Sequence, residues 1–237
     1  MAELLAVRDV TISYPTEAGT FTAVRDVSFG VATGEKFILL GPSGCGKSTL
    51  LKSVAGFLPP SAGAIELEGR KITRPGADRV VVFQEFDQLL PWKTVLGNIM
   101  YPLRVAKKMG DGAAREEAHR FIRMVGLERF ADSYPHQLSG GMKQRVAIAR
   151  SLAINPRMLL MDEPFASLDA MTRRKMQEEL LGIWEATQKT ILFVTHSIQE
   201  AALLGDRILV LSPGPGRVKR ILHNPAEEEI RAVLEST

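Results

Sequence analysis

The pattern of apolar and polar positions changes period several times along the chain. Residues 4–14 alternate as a strand ending at Tyr14-Pro15, and Thr16 to Gly19 form a polar turn. A second strand pattern runs from Phe21 to Val31 and closes at Ala32-Thr33-Gly34-Glu35. These two segments predict a small antiparallel β-layer. Phe37-Ile38-Leu39-Leu40 is an unbroken apolar run, as in a strand buried on both faces. Leu50 to Ala55 reads as the first turns of a helix that Gly56 and Pro59-Pro60 terminate, and Ala64 to Gly69 alternates again. Val80 to Phe83, Met158 to Met161 and Thr190 to Thr195 are further short apolar runs of buried parallel strands. From Glu85 to about Arg150 the period becomes helical, with breaks expected at Pro91, Pro102, Gly110-Asp111-Gly112, Gly126 and Pro135. Two closing strands, Arg207–Leu211 and Arg217–Leu222, flank Pro213-Gly214-Pro215-Gly216, and a terminal helix covers Ala226–Leu234. The whole predicts one α/β domain over 1–237. A nucleotide-binding core with its β-layer spans 1–84 and 155–237, and a helical insert spans 85–154.

Gly41-Pro42-Ser43-Gly44-Cys45-Gly46-Lys47-Ser48-Thr49 lies between the first apolar strand and the first helix. Strand, glycine loop, helix is the order a P-loop requires, so the core is of the P-loop (RecA-like) kind. The glycines let successive N–H groups surround a phosphate, and the helix start adds its positive dipole end. Lys47 would reach the β- and γ-phosphates, and the Ser48 hydroxyl would ligate Mg²⁺. The chain therefore binds a nucleoside triphosphate.

Other candidates cluster at strand ends, where ligands of open parallel sheets collect. Gln84 follows one strand and Asp162-Glu163 follow another. Asp162 suits the Mg²⁺ shell, and Glu163 can orient or deprotonate an attacking water. His196 ends a third strand and can donate to a γ-phosphate. Ser139-Gly140-Gly141 opens an amphipathic helix and makes a second anion-receptive start. Two phosphate-type loops but only one lysine-bearing P-loop point to a site completed by another copy of the chain. Tyr14 could stack on adenine or sit in the core, and Trp92 in Gln88-Leu89-Leu90-Pro91-Trp92 could be a docking knob or pack inside the insert. Ser167-Leu168-Asp169 starts the next helix, where Ser167 or Asp169 reads simply as its cap.

Composition narrows the class. With 45% hydrophobic content over 237 residues the chain can bury a full core. No run approaches the roughly 18 apolar residues of a membrane span, and the charged N-terminal segment is unlike an export signal. A single cysteine, Cys45, excludes an intrachain disulfide and a multi-cysteine metal site. In the loop it reads as a tolerated small residue or a redox sensor. The net charge of +3 is spread along the chain, with no block that marks a nucleic-acid surface.

In their order these residues resemble the ATP-binding cassette (ABC) ATPase family over essentially the whole chain. Tyr14 matches the A-loop aromatic, Gly41 to Thr49 Walker A, Gln84 the Q-loop, Leu138 to Met142 the signature, Asp162-Glu163 the end of Walker B, Ser167-Leu168-Asp169 the D-loop, and His196 the switch histidine. The resemblance implies a head-to-tail dimer holding two ATP, each between one Walker A and the other subunit's Ser139-Gly140-Gly141. It also implies adenine stacking by Tyr14 and Gln84 in the metal shell. Leu89-Leu90-Pro91-Trp92, the signature and the Pro213 to Arg217 loop look like the bacterial nitrate, sulfonate and taurine importer group. Met142 in place of the commoner signature glutamine and Gly214 where the group often has arginine are departures. In that group ATP hydrolysis drives uptake through a separate membrane permease, here expected to dock on the Gln84–Trp92 region, with solute delivered by a binding protein. The implied location is peripheral, at the cytoplasmic face of the inner membrane. Phosphonate, thiamine-precursor or lipid transport, or a non-transport ABC role, are the alternatives.

Overall fold

The computed structural model describes residues 2–17, 19–84, 88–166 and 168–236. In chain order the first elements are β1 (Glu3–Thr16), β2 (Gly19–Ala32), β3 (Lys36–Leu40), α1 (Lys47–Ala55), β4 (Ala62–Leu67), β5 (Arg70–Lys71) and β6 (Arg79–Val82). Then come α2 (Val95–Val105), α3 (Asp111–Met124), α4 (Gly140–Ala153), β7 (Met158–Asp162) and α5 (Ala170–Thr187). β8 (Thr190–Thr195), α6 (Ile198–Leu204), β9 (Arg207–Leu211), β10 (Val218–His223) and α7 (Glu227–Glu235) complete it. The chain divides into two compact units, Met1–Arg79 with Lys189–Thr237, and Val80–Gln188.

The first unit holds the β-layer, four antiparallel strands in the order β2-β1-β4-β5. Its alternation is less simple than the sequence suggests, because Leu4 to Val7 are all buried. Register shifts between Glu3 and Leu5, Val7 and Val10, Val10 and Ile12, and Ile12 and Ser13 reset the phase, the middle two at residues with positive φ. Val7 opposes Phe29 and Val10 opposes Val27, which leaves one extra residue on β1 around Asp9, held at φ 49°. Val10 opposes Val27 and Ile12 opposes Val24, so β2 in turn carries an extra residue at Asp26, φ 53°. Beside this layer β3 runs parallel to both β8 and β9, and β10 pairs antiparallel with β9. Phe37 to Leu40 are fully buried, as a strand with neighbours on both sides and covered faces demands. Phe37 stacks on Phe29 at 5.0 Å, and the Arg207 guanidinium lies over the Phe37 ring at 5.0 Å and bonds to Glu35 at 3.1 Å.

The second unit contains hydrogen-bonded neighbours β6 and β7 together with α2 to α5. Pro102 does not break α2 where the sequence led us to expect. The helix continues through Val105, and the Ala106 N–H closes onto the Pro102 carbonyl at 2.9 Å. A proline inside a helix costs about 3 kcal/mol. Leu103, fully buried, lies beyond Pro102, and burying such a side chain contributes about 1.5–3 kcal/mol, which offsets much of that cost. Thr94 caps α2 by accepting the Gly97 N–H at 3.1 Å, Asp169 caps α5 by accepting from Met171 and Thr172, and the Thr172 N–H holds the Asp169 carboxyl below its usual range.

Candidate nucleotide site

In the first unit the loop Gly41 to Gly46 leads from β3 into α1. Gly46 is the N-cap of α1 at φ 97°, and a Cβ there would stand 2.5 Å from Val24 Cγ1 and 2.7 Å from the Ala23 carbonyl. Only glycine fits. No side chain caps α1 and no acidic residue occupies its first turn, so the helix start offers its N–H groups and dipole to an anion. Lys47, only 5% exposed, donates from Nζ to the Gly41 carbonyl at 2.8 Å and the Pro42 carbonyl at 3.0 Å. The ammonium thus lies folded along the loop it would share with a phosphate. Pro42, Ser43 and Gly44 are exposed, Ser48 and Thr49 half-buried. Cys45 is buried, which favours the packing reading of this residue, since a redox-sensing thiol must be accessible.

Tyr14 is half-buried on β1 opposite Phe21, outside the core. His196 follows β8 and is exposed. Its neighbours are tied down: the Thr195 hydroxyl donates to Glu200 Oε2 at 2.6 Å, the Ser197 N–H donates to Thr195 Oγ1 at 3.0 Å, and Ser197 caps α6.

In the second unit Asp162 is the last residue of β7 and Glu163 begins the turn after it, both half-buried. Glu163 has φ 44°, and a non-glycine residue held there costs about 1–3 kcal/mol. Strain of that kind persists where function or tight packing fixes it. Ser139 caps α4 by accepting the Met142 N–H at 3.3 Å, leaving Gly140 and Gly141 at the helix start with no acidic side chain in the first turn. Gln84 is exposed, two residues past β6. Glu85 to Asp87 and Ser167 lie outside the described residues.

The segment after Gln84 is supported by residues that sequence reasoning missed. Gln88 accepts the Phe83 N–H at 3.2 Å and donates to the Phe83 carbonyl at 3.0 Å. Gln144 of α4, fully buried, donates to the same carbonyl at 3.5 Å, and Arg150 donates to the Gln88 carbonyl at 2.7 Å. Burial pushes the Arg150 pKa down. Further on, the buried Asn98 amide donates to the carbonyls of Leu90, Lys93 and Thr94 and accepts the Leu90 N–H at 2.8 Å. This loop presents Trp92 at 70% exposure, which excludes packing of the ring inside the unit. The polar residues on α4 gave no local sequence signal, since each acts on a segment some 60 residues away.

Ser48 in the first unit carries a hydroxyl, and in the second unit Asp162 carries a carboxylate and Gln84 an amide; each is a hard oxygen donor of the kind that Mg²⁺ takes in preference to softer ions.

Comparison with known proteins agrees with this chemistry. The ABC transporter family matches residues 24–166, more than half of the chain. The taurine import ATP-binding protein TauB of Rhizobium johnstonii is 47% identical over 99% of this chain and 97% of its own length. The nitrate import ATP-binding protein NrtD of Synechococcus elongatus is 44% identical over 94% of this chain and 82% of its own. Among solved structures, the dimeric post-hydrolysis state of the ATP-binding cassette MJ0796 bound to ADP and Pi superposes with a TM-score of 0.82 at 34% identity, covering 94% of this chain and all of that one. The arrangement of motifs, the mixed α/β fold and these likenesses agree, and the chain belongs to the ABC transporter family.

Proposed function

We infer that this chain is the ATP-hydrolysing subunit that energises uptake of a small solute, of the taurine, sulfonate or nitrate class, through a separate membrane permease. The observation that carries this is the uncapped, acid-free start of α1 with Lys47 folded along its loop, on a chain that resembles taurine and nitrate import ATP-binding proteins across nearly its whole length. Gly41 to Thr49 bind the phosphates of ATP, Tyr14 stacks on adenine, and Ser48, Asp162 and Gln84 hold Mg²⁺. That ion, when bound, neutralises charge on the β- and γ-phosphates. Glu163 orients the attacking water and takes its proton, and His196 donates to the γ-phosphate. Residues 85–154 act as the helical insert of the core formed by 1–84 and 155–237.

Ser139, Gly140 and Gly141 complete the site on a second, head-to-tail copy, a reading supported by the dimeric state named for MJ0796. Specific ATPase activity will therefore fall on dilution, and assays across a wide range of protein concentration check this. A rate per chain that stays at its full value at every concentration would overturn the composite site.

The permease docks on the Gln84–Trp92 region. The chain is a peripheral subunit at the cytoplasmic face of the inner membrane, held by that partner, a reading supported by its likeness to import ATP-binding proteins. Among the described residues no helix is long and apolar enough to cross a membrane. Exposed Trp92, Tyr101 and Val105 supply apolar contact, and Lys93, 5.6 Å over the Tyr101 ring, supplies charge beside it. A binding protein delivers the solute to the permease. Trp92→Ala will leave basal ATPase largely intact and weaken its stimulation by the co-purified permease. Full stimulation of Trp92→Ala by the permease would remove the ring from the docking surface. Purification from membranes with identification of the co-purifying permease tests the transport assignment as a whole.

A further inference from the structure

We propose that the turn joining β9 to β10 is a positioning element of the nucleotide site, with Gly216 fixing the direction of the Cys45–Gly46 peptide. The proposal rests on the ATP-binding reading of the glycine loop and extends it to a segment about 170 residues away in sequence.

Gly216 packs directly on the loop. A Cβ built on it would lie 2.1 Å from the Cys45 carbonyl oxygen and 3.4 Å from Val24 Cγ1. The same Val24 closes over Gly46 from the β2 side. Gly216 is itself stitched to β2, because its N–H donates to the Ala23 carbonyl at 2.9 Å and its carbonyl accepts the Arg25 N–H at 2.9 Å. Ser212 staples the ends of the turn: its N–H donates to the Arg217 carbonyl at 3.0 Å, and its Oγ accepts the Arg217 N–H at 3.1 Å. The outer wall of the glycine loop is thus built from β2 and this turn, neither of which touches the P-loop motif in sequence.

The consequence follows from peptide geometry. A trans peptide is planar, so the Cys45 carbonyl and the Gly46 N–H point in opposite directions. Backbone packed against that carbonyl leaves no room for the peptide plane to rotate. It therefore holds the Gly46 N–H on the inner side of the loop, where donors to a phosphate must lie. A loop already fixed in this orientation loses less conformational freedom on binding.

The experiment is equilibrium binding of a fluorescent ATP analogue with Mg²⁺ to the full chain, with melting temperature measured in the absence and presence of MgATP. Gly216→Ala will weaken binding about tenfold or more and shrink the MgATP-induced rise in melting temperature. In ATPase assays it will raise KM more than it lowers kcat. Ser212→Ala, which loosens the staple without adding an atom, will weaken binding about threefold, and it carries the test if Gly216→Ala does not fold. Arg217→Ala removes only an exposed ion pair to Asp26 at 3.4 Å and will bind within about twofold of the parent. A folded Gly216→Ala chain that binds as the parent does, or a Ser212→Ala chain that does so when Gly216→Ala is unfolded, overturns the proposal. So does a loss for Arg217→Ala as large as that for Gly216→Ala. Failure of the parent chain to bind the analogue would instead remove the ATP-binding reading itself.

Discussion

Replacing Glu163 by Gln will leave ATP binding intact and cut turnover by at least ~10²-fold, about 2.7 kcal/mol of barrier. The amide keeps the volume and the hydrogen-bonding reach of the side chain but cannot accept the proton of an attacking water. The turn that carries Glu163 is closed by the Ala166 N–H on its carbonyl at 3.1 Å and the residue holds φ 44°, a conformation that glutamine, of the same shape, meets at the same steric cost. The substitution therefore tests the carboxylate and not the backbone. With hydrolysis blocked and ATP still bound, two copies stay closed on each other, so size-exclusion chromatography with MgATP will show a dimer that the parent forms only transiently. ATPase rate, nucleotide affinity and elution volume together check the prediction. Near-normal turnover would remove Glu163 from the chemistry.

Local features of this chain were legible from its sequence, and long-range ones were not. Gly41 to Thr49 is contiguous, and every property it needs, from the αL glycine at Gly46 to the lysine on the first helical turn, lies within nine residues. The caps Ser139 and Asp169 were visible for the same reason. Alternation placed β1 and β2 but could not show the bulges at Asp9 and Asp26, because a single extra residue shifts the face of every side chain beyond it. Pro102 misled because its helical penalty is local while the burial of Leu103 that offsets it is tertiary. The bonds from Gln144 and Arg150 to the segment near Gln84, and the seat of Gly216 on Cys45, join residues 60 or more positions apart, and no periodicity encodes such a meeting.

These supports have a common form. Several loops are held through their backbone by a polar side chain or a glycine of the same unit: Gly216 on the glycine loop, Gln88 and Gln144 on Phe83, Asn98 on the loop of Trp92, and the Thr195 hydroxyl on the Ser197 N–H beside His196. Such bonds fix the path of each loop through its carbonyls and N–H groups. Placing such groups on a rigid frame reduces the ordering cost of binding.

Lys47→Ala is expected to weaken ATP binding by at least ~10²-fold, and its effect separates cleanly from that of Glu163→Gln. The ammonium is the one cation within the glycine loop, and its donation to the Gly41 and Pro42 carbonyls sets it beside the N–H groups of the α1 start. Removing it takes away a charge-assisted donor to the β- and γ-phosphates and also leaves two loop carbonyls without that partner. The first loss falls on the nucleotide-bound state, where the charge of three phosphates must be matched, so affinity drops along with turnover; the second is already present in the free chain. A buried lysine replaced by alanine also leaves space, and the melting temperature without nucleotide will report how much of the loss is structural. Adding MgATP will raise the melting temperature of the parent and of Glu163→Gln but not of Lys47→Ala. Lys47→Arg will not restore affinity, because the loop holds a compact ammonium with two carbonyls 2.8 and 3.0 Å away and a planar guanidinium cannot occupy the same place. Unchanged affinity with lost turnover in Lys47→Ala would move this residue from binding to chemistry, and the phosphate cradle would then rest on the backbone donors of the loop and α1 alone.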